Sequence, residues 1–319
     1  MSLRKQKKAL SFSLVVSVYN EEEALPLFWK ETEKVLKKLH KTYEVLFVDD
    51  GSTDESRSIL RDIAKKNKSV RVIHFSRNFG HEAAMLAGID HSQGTAVICM
   101  DVDLQHPPQY IPQLLGTFAA GNEIITMTRV ENKGTNWFHK FASSLFYTVL
   151  NKLSSGHITP HASDFFLISR RIADLLKNEF RERSRFLRGF IQIIGFKKTT
   201  LPYIAPRRAA GTSKYSFWKL WKLSMHAISS FSTIPLQLGT TLGAIIAGLS
   251  IAIGLYSVVM KILGFTIPGY TTIVVMISML FAMQFFIIGM IGQYLGLLFI
   301  ENKKRPIYLV ESTVDHESD

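Results

Sequence analysis

Short apolar runs alternate along the first 125 residues with longer stretches in which apolar residues recur every three or four positions. Runs rich in β-branched residues predict buried strands, and the three-to-four spacing predicts amphipathic helices. The predicted strands are Phe12–Val18, Glu44–Val48, Arg71–Phe75, Ala96–Met100 and Glu123–Met127. The predicted helices are Glu22–Leu39, Asp54–Lys66, His81–His91 and Pro108–Phe118. This alternation predicts an α/β fold with a mostly parallel sheet and helices on both of its faces.

The pattern changes in the last third of the chain, where two long apolar stretches cover about 232–260 and 270–300. Lys261 is the only charged residue between positions 232 and 300. Each stretch exceeds the roughly 20 residues that a helix needs to cross a bilayer. A short turn with Pro268 separates them. The sequence therefore predicts a two-helix transmembrane hairpin, and so a multi-pass membrane protein.

Charge orients this hairpin. The chain has a formal net charge of +12, and several Lys and Arg clusters lie close to the apolar segment. Because positive loops stay in the cytoplasm, we expect a catalytic domain over 1–230 and a tail over 301–319 on the cytoplasmic side of the cell membrane. The basic excess fits anionic lipid, at about 1 kcal/mol per Lys or Arg near the surface. No nucleic-acid-binding motif accompanies it.

Two amphipathic stripes, Asn136–Lys152 and Phe217–Ile228, carry aromatic residues with lysines beside them. Each stripe is either a helix on the domain core or a helix in the membrane interface. The second stripe is the better interfacial candidate because it directly precedes the first apolar stretch. We also predict lipid-surface roles for Arg183, Arg185 and Arg188. The single cysteine, Cys99, predicts a buried thiol and excludes a disulfide within one chain.

Polar clusters follow three predicted strands, at Tyr19–Glu22, Asp49–Asp54 and Asp101–Pro108. Ligands of such sheets bind outside the carboxyl ends of the strands. Asp101 and Asp103, two residues apart just past a strand, form an oxygen-rich pair that suits Mg²⁺ or Mn²⁺ together with a diphosphate. The sequence thus favours a nucleotide diphosphate as a ligand.

Six short motifs stand at these strand ends and further along the chain. They are Val16-Ser-Val-Tyr-Asn-Glu21, Val48-Asp-Asp-Gly-Ser-Thr-Asp54, Arg77-Asn-Phe-Gly-His81, Asp101-Val-Asp-Leu-Gln-His-Pro-Pro108, Ser163-Asp-Phe-Phe166 and Arg208-Ala-Ala-Gly-Thr-Ser-Lys-Tyr215. Together they resemble glycosyltransferase family 2. The fourth and sixth are similar to the branch of polyprenyl-phosphate glycosyltransferases, which includes dolichyl-phosphate mannose synthases and undecaprenyl-phosphate glucosyltransferases. The resemblance implies a GT-A (Rossmann-like) nucleotide-sugar-binding domain, followed by interfacial helices and the transmembrane hairpin.

The resemblance also implies roles for individual residues. The nucleoside is lined by Tyr19, Glu22 and Asp50, and Asp101 lies nearer the ribose. The metal site is formed by Asp101, Asp103 and Gln105, with Asp103 acting in catalysis through the metal. Asp164 faces the acceptor as its base or as a positioning group. The acceptor phosphate is bound by Arg129, Lys140 and Ser144. The donor diphosphate is held by Arg208 and Lys214.

The resulting hypothesis is an inverting, metal-dependent transfer of a hexose from a nucleotide diphosphate sugar to polyprenyl (undecaprenyl) phosphate at the cytoplasmic membrane face. UDP-glucose or UDP-N-acetylglucosamine is the favoured donor, and GDP-mannose is the alternative. Another alternative is a polysaccharide synthase with a hydroxyl acceptor, although Gln192 is not followed by the Q-x-x-R-W pattern of those enzymes. A non-enzymatic membrane anchor is a third alternative. A homo-oligomer is compatible with the sequence, which does not specify the number of subunits.

Overall fold

The computed structural model describes residues 12–130, 162–182, 187–206 and 269–315, together with individual positions between 241 and 265. The chain divides into two compact units. The first comprises Met1–Asn151, Gly156–Tyr215 and Arg305–Asp319, and so most of the predicted catalytic domain. The second comprises Lys152–Ser155 and Ser216–Lys304, which include the apolar segment. Lys140, Ser144, Arg208 and Lys214 lie outside the described residues, as do both amphipathic stripes.

All five predicted strands are confirmed to within about two residues, and the structure adds three. The strands are β1 (Phe12–Val18), β2 (Tyr43–Asp49), β3 (Val70–Phe75), β4 (Ala96–Asp101), β5 (Ile124–Arg129), β6 (Ala162–Ser169), β7 (Lys198–Tyr203) and β8 (Val310–Val314). Their order in the sheet is β7-β5-β6-β4-β1-β2-β3-β8. The central strands are uniformly buried because helices cover both faces, which explains their unbroken apolar runs.

The first four described helices lie at the four predicted positions, and three further helices follow them along the chain. They are α1 (Ala24–Lys38), α2 (Ser56–Lys66), α3 (His81–His91), α4 (Ile111–Ala119), α5 (Arg170–Asn178), α6 (Leu187–Ile193) and α7 (Tyr270–Asn302). Buried side chains of α1, α2 and α4 join one core cluster with alternate residues of the strands. Helix α3 packs on the other face, where a Cβ on Gly88 would come within 2.1 Å of the Val15 side chain. The buried thiol predicted for Cys99 is confirmed, and burial raises its pKa.

The sheet is mixed rather than mostly parallel. Strand β6 lies between β4 and β5 and runs antiparallel to both, whereas β1 is parallel to β2 and to β4. The prediction of a mostly parallel sheet did not include this antiparallel insertion, because pairing between strands distant in sequence is not encoded in local periodicity. The insertion has a functional consequence. It brings the amino end of β6, with Asp164, to the carboxyl edge of β4.

The last strand, β8, was not predicted. It pairs antiparallel with β3 at the end of the sheet, with Val72 opposite Val314 and His74 opposite Ser312. Arg71 Nε contacts Asp315 Oδ1 at 2.8 Å, and Arg57 forms an ion pair with Glu311. Residues 310–314, which we had placed in a tail, therefore complete the sheet of the first unit.

The second unit contains helix α7, which coincides with the second predicted span. Within the described residues, one helix is long and apolar enough to cross a membrane, Met279–Asn302. Many of its large apolar side chains are exposed, among them Phe285 at 69%. The first predicted span, 232–260, falls largely outside the described residues, so the two-helix hairpin stays a prediction.

Gly94 allows α3 to connect to β4 directly against β1. A Cβ at this position would lie 2.4 Å from backbone atoms of Phe12 and Ser13. We expect Gly94→Ala to destabilise the protein by about 3 kcal/mol, since backbone on both sides must shift to relieve the overlap. Urea unfolding of the full-length protein in detergent measures this loss. The matched control is Gly116→Ala in α4, where nothing lies within 4 Å. That change should instead stabilise by up to about 1 kcal/mol.

Candidate active site

The candidate site lies at the edge of the sheet where the neighbouring strands β1 and β4 end and the antiparallel strand β6 begins. Asp101 is the last residue of β4 and pairs with Ser17 of β1. On the other side of β4, Cys99 pairs with Phe166 of antiparallel β6. Continued by two residues, this register places Asp164 beside Asp101. The fold therefore juxtaposes two carboxylates that lie far apart in the sequence.

His81, the first residue of α3, stands over this pair of carboxylates. Its Nε2 is 3.4 Å from Asp101 Oδ1 and 3.6 Å from Asp164 Oδ2. Its Nδ1 is 2.8 Å from Ser17 Oγ, and this contact fixes the ring from behind. Gly80, with a φ of 98°, starts the helix at this point. Three potential ligand atoms, one each from His81, Asp101 and Asp164, consequently lie within 4.8 Å of one another.

The side chains of His81, Asp101 and Asp164 stabilise one another's charged forms. Partial burial opposes protonation of the His81 ring, but the charge of Asp101 and the contact with Asp164 outweigh it and raise the pKa of His81 to about 9. Burial also opposes ionisation of Asp164, but the contact with His81 and the charge of Arg188 outweigh it, so the pKa of Asp164 is lowered. Near neutral pH the site therefore holds an imidazolium between two carboxylates.

Arg188 corrects one prediction from the sequence. Instead of being a lipid-surface charge, it places its Nε 2.7 Å from Asp164 Oδ1. Helix α6, which carries Arg188, is fixed at its first residue by Glu82, because the backbone N–H of Leu187 donates to Glu82 Oε2 at 2.7 Å. Burial and the nearby Asp164 charge raise the pKa of Glu82, while the Leu187 N–H opposes the rise. Asp164 is thus held between cations from α3 and α6.

His106 has a structural role. Its side chain is 6% exposed, and its ring stacks on Phe165 with centroids 5.3 Å apart. The backbone N–H of Asp101 donates to its Nδ1 at 2.9 Å. This nitrogen must be unprotonated to accept that bond, so His106 fixes the backbone of Asp101 rather than offering Nδ1 to a metal.

The residues at the end of β4 fit a divalent cation. Asp101 Oδ1 is buried and accepts no hydrogen bond among the described residues, although His81 Nε2 lies 3.4 Å away, so this oxygen can still bind a cation or ligand. Asp103 Oδ1 accepts from the Gln105 backbone N–H at 3.0 Å, and Leu104 between them has a φ of 62°. The chain therefore turns sharply and keeps the two carboxylates of the pair together with Gln105 in one loop. Carboxylate and amide oxygens are suitable ligands for Mg²⁺ or Mn²⁺.

The two loops predicted to line the nucleoside are joined by hydrogen bonds. Asn20, with a φ of 53°, donates its backbone N–H to Ser52 Oγ at 3.0 Å, and its Oδ1 accepts from the Thr53 N–H at 2.8 Å. Glu22 Oε2 accepts from the Glu55 N–H at 2.9 Å. Tyr19 remains 46% exposed at this surface. The polar clusters that follow the first two predicted strands, Tyr19–Glu22 and Asp49–Asp54, therefore lie together.

Asp50 sits below this surface. It is 2% exposed, and its two carboxylate oxygens accept from the backbone N–H groups of Phe79 and Gly80 at 2.6 and 2.9 Å. Burial raises its pKa even though these N–H groups oppose the rise. Its first structural task is therefore to hold the loop that precedes His81. A carboxylate has further lone pairs, so a base N–H can still be accepted as predicted.

Arg129 ends β5 at the same edge as Asp164, since Thr128 of β5 pairs with Ala162 of antiparallel β6. Its side chain is exposed, which suits a ligand contact. The other residues predicted to bind the acceptor or the donor diphosphate, Lys140, Ser144, Arg208 and Lys214, lie outside the described residues.

Sequence reasoning missed His81, Glu82 and Arg188 as site residues. His81 had a usable signal, because it ends a motif that directly follows β3 and begins a helix. Arg188 had none, since it lay in a basic cluster whose members look alike in sequence. Its partner became visible only in the folded chain.

Comparison with known proteins decides the family. Residues 13–176, a little over half of the chain, match the Glycosyl transferase family 2 domain. The chain belongs to glycosyltransferase family 2. This confirms the resemblance drawn from the motifs and makes the protein a glycosyltransferase with a GT-A-like α/β domain.

Similar proteins align with nearly the whole chain. An uncharacterized glycosyltransferase of Synechocystis sp. is 37% identical over 302 residues, covering 94% of this chain and 95% of the relative. A bactoprenol glucosyl transferase of Shigella phage SfX is 36% identical over 304 residues, covering 95% of this chain and 99% of the relative. A prophage bactoprenol glucosyl transferase homolog of Escherichia coli K12 is 36% identical over 303 residues, with the same coverage.

Likeness to solved structures is weaker. A glucosyl-3-phosphoglycerate synthase of Mycobacterium tuberculosis, crystallised with Mn²⁺, UDP and phosphoglyceric acid, gives a TM-score of 0.48 at 17% identity. The match covers 69% of this chain and 76% of that one. A similarity of this degree carries no conclusion about ligands.

Proposed function

We propose that this family 2 glycosyltransferase moves glucose from UDP-glucose to polyprenyl phosphate, with inversion, at the cytoplasmic face of the membrane. The observation that carries the proposal is the convergence of Asp101, Asp164 and His81 at the edge of the sheet beside the predicted nucleoside loops. Relatives that match 95% of the chain and are named bactoprenol glucosyl transferases support the choice of sugar and acceptor.

The proposed reaction is a single displacement. An oxygen of the acceptor phosphate attacks the anomeric carbon, the bond from that carbon to the diphosphate oxygen breaks, and UDP leaves with the bonding electrons. The acceptor is a phosphate monoester with a second pKa of about 6, so it arrives mostly ionised and needs little proton removal. Asp164, held by His81 and Arg188, then serves mainly to position the acceptor.

A divalent cation at Asp101, Asp103 and Gln105 would neutralise charge on the departing diphosphate. Asp101 fits this role best on structural grounds, because its Oδ1 is a buried acceptor without a hydrogen-bond partner in the described chain. Arg129 is proposed to contact the acceptor phosphate through forked, charge-assisted bonds. Lys140 and Ser144 are proposed for the acceptor phosphate, and Arg208 and Lys214 for the donor diphosphate.

The path of the chain supports a membrane hairpin. Strands β1–β7 precede the apolar segment and β8 follows it, yet all belong to one sheet. A segment that leaves a folded sheet and returns to it crosses a bilayer an even number of times. Met279–Asn302 is long and apolar enough for one crossing, and we propose the apolar stretch at 232–260 as the second. Both ends of the hairpin then lie on the side of the catalytic domain.

A donor and acceptor panel tests the proposal. The full-length protein in nanodiscs is incubated with Mn²⁺, undecaprenyl phosphate, and radiolabelled UDP-glucose, UDP-N-acetylglucosamine or GDP-mannose. We expect label from UDP-glucose to enter the organic phase, and EDTA to abolish the transfer. Undecaprenol, which lacks the phosphate, is the matched control acceptor and should stay unlabelled. Exclusive use of GDP-mannose, or transfer to a hydroxyl acceptor alone, would contradict the proposal.

A further inference from the structure

The C-terminal segment that carries β8 contacts the rest of the first unit at several points besides the backbone hydrogen bonds between β8 and β3. The ring of Tyr308, just before the strand, stacks on Phe75 with centroids 5.1 Å apart, and its hydroxyl is 2.7 Å from Asp90 Oδ2. The Ser76 N–H donates to the Leu309 carbonyl at 3.1 Å. These contacts fix the segment that leads into the five-residue strand.

Three polar residues form one row across β2, β3 and β8. Asp49 pairs with His74, and His74 pairs with Ser312. Directly paired residues project from the same face of a sheet, so the three side chains are neighbours. His74 Nδ1 lies 2.8 Å from Asp49 Oδ2, and both side chains are almost fully buried. The row thus begins at the C-terminal strand and ends beside the nucleoside loops.

Asp49 connects the row to those loops. Its other oxygen, Oδ1, accepts from the Ser52 N–H at 2.9 Å, and the Ser52 hydroxyl accepts from the Asn20 N–H at 3.0 Å. The contacts with Ser52 and His74 outweigh burial, so the pKa of Asp49 is lowered and the carboxylate is charged. A displaced His74 would leave this buried charge without its partner and free the loop to move.

Two buried atoms of the row have no hydrogen-bond partner among the described residues. They are His74 Nε2 and Ser312 Oγ, on residues directly opposite each other. Buried polar groups are normally paired, either directly or through an ordered water. The two atoms do not hydrogen-bond to each other directly, so one ordered water between them would satisfy both.

We infer that Ser312 is a positioning residue for the donor site, acting through His74 and Asp49 on the Ser52 loop. This inference rests on the proposed function, since the loop is assigned to the nucleotide there. In this arrangement the C-terminal strand holds the donor loop in its binding conformation before the nucleotide arrives.

Aspartate, histidine and serine also form the nucleophilic triad of many hydrolases, but in this protein the three side chains are not accessible to a substrate. The His74 side chain is fully buried, and so is the hydroxyl oxygen of Ser312. A nucleophile must reach a substrate carbonyl, and neither group can. The row is therefore suited to holding a loop and not to covalent chemistry.

The test compares Ser312→Ala with Ser312→Thr, which keeps a hydroxyl and suits a strand. Titration calorimetry with UDP and Mn²⁺ measures binding, and amide hydrogen exchange measures protection of residues 51–53 in the unliganded full-length protein. For the Ala variant we expect about five-fold weaker UDP binding, the effect of one ordinary hydrogen bond, with faster exchange in the loop. The donor KM should rise while kcat stays unchanged. The Thr variant should restore both readouts.

The matched control is Thr313→Ala, the neighbouring residue on the same strand, whose side chain is exposed. It should change neither readout. If wild-type protein binds UDP but Ser312→Ala leaves both affinity and exchange unaltered, the inference is wrong and the proposed function stands. If wild-type protein does not bind UDP, the proposed function fails, while the exchange comparison still reports on the row.

Discussion

Asp164→Asn is expected to reduce glucosyl transfer about 10³-fold while leaving UDP binding nearly unchanged. The substitution preserves shape but removes the charge that Arg188 and His81 hold in place. A group that orients the acceptor for attack can contribute about 10²-fold or more, and loss of the charge also releases the His81 and Arg188 cations from the site. Initial rates with undecaprenyl phosphate, alongside calorimetry with UDP and Mn²⁺, separate the two effects.

Asp174→Asn is the matched control for this change. Asp174 is another aspartate of the same unit, 54% exposed on α5 and, within the described residues, paired across one helical turn with Arg170. Its replacement should leave the rate within two-fold, roughly the effect of an exposed ion pair. Full activity of Asp164→Asn would remove Asp164 from the acceptor site. Loss of UDP binding would instead assign it to the donor.

Asp101→Asn is expected to lower transfer by about 10²- to 10³-fold and to weaken nucleotide-dependent Mn²⁺ binding. The amide keeps the size of the side chain, but a neutral oxygen replaces the charged ligand, and electrostatic stabilisation of a leaving group is commonly of this magnitude. The structural reason for choosing Asp101 is its buried, unpartnered Oδ1 beside His81. Electron paramagnetic resonance of Mn²⁺, with and without UDP, measures binding independently of turnover.

Asp62→Asn, an exposed position on α2, is the control for charge alone. It should bind Mn²⁺ as the wild type does. Unchanged Mn²⁺ affinity in Asp101→Asn would assign the cation to Asp103 and Gln105 without Asp101. In that case the orphaned oxygen would have to meet the ribose, as the resemblance first implied.

Much of the fold was accessible from the sequence because the central strands are buried on both sides. Such strands read as continuous apolar runs, and β1 to β5 were located in this way. Strand β6 could not be placed between β4 and β5, since antiparallel insertion depends on contacts between distant residues. Strand β8 was missed because Val310–Val314 is short, half exposed and carries a charged residue, as edge strands commonly do.

Part of the candidate site was likewise predictable from the sequence, and part of it was not. Asp101, Asp103 and Asp164 were found because they stand in motifs at strand ends, where chemistry in α/β sheets is concentrated. Arg188 was misassigned, since its role comes from how α6 packs near β6 and not from its own surroundings in the sequence. Asp50 shows the reverse case. Its motif pointed to the nucleoside, but the structure first uses both oxygens to hold the loop before α3.

The position of β8 also affects how the protein is made. This strand emerges from the ribosome only after the 33-residue helix α7 has been synthesised. Until then, β3 has an open hydrogen-bonding edge, which can pair with a wrong chain. Nascent protein that stalls before residue 310 should consequently be prone to aggregation and to degradation.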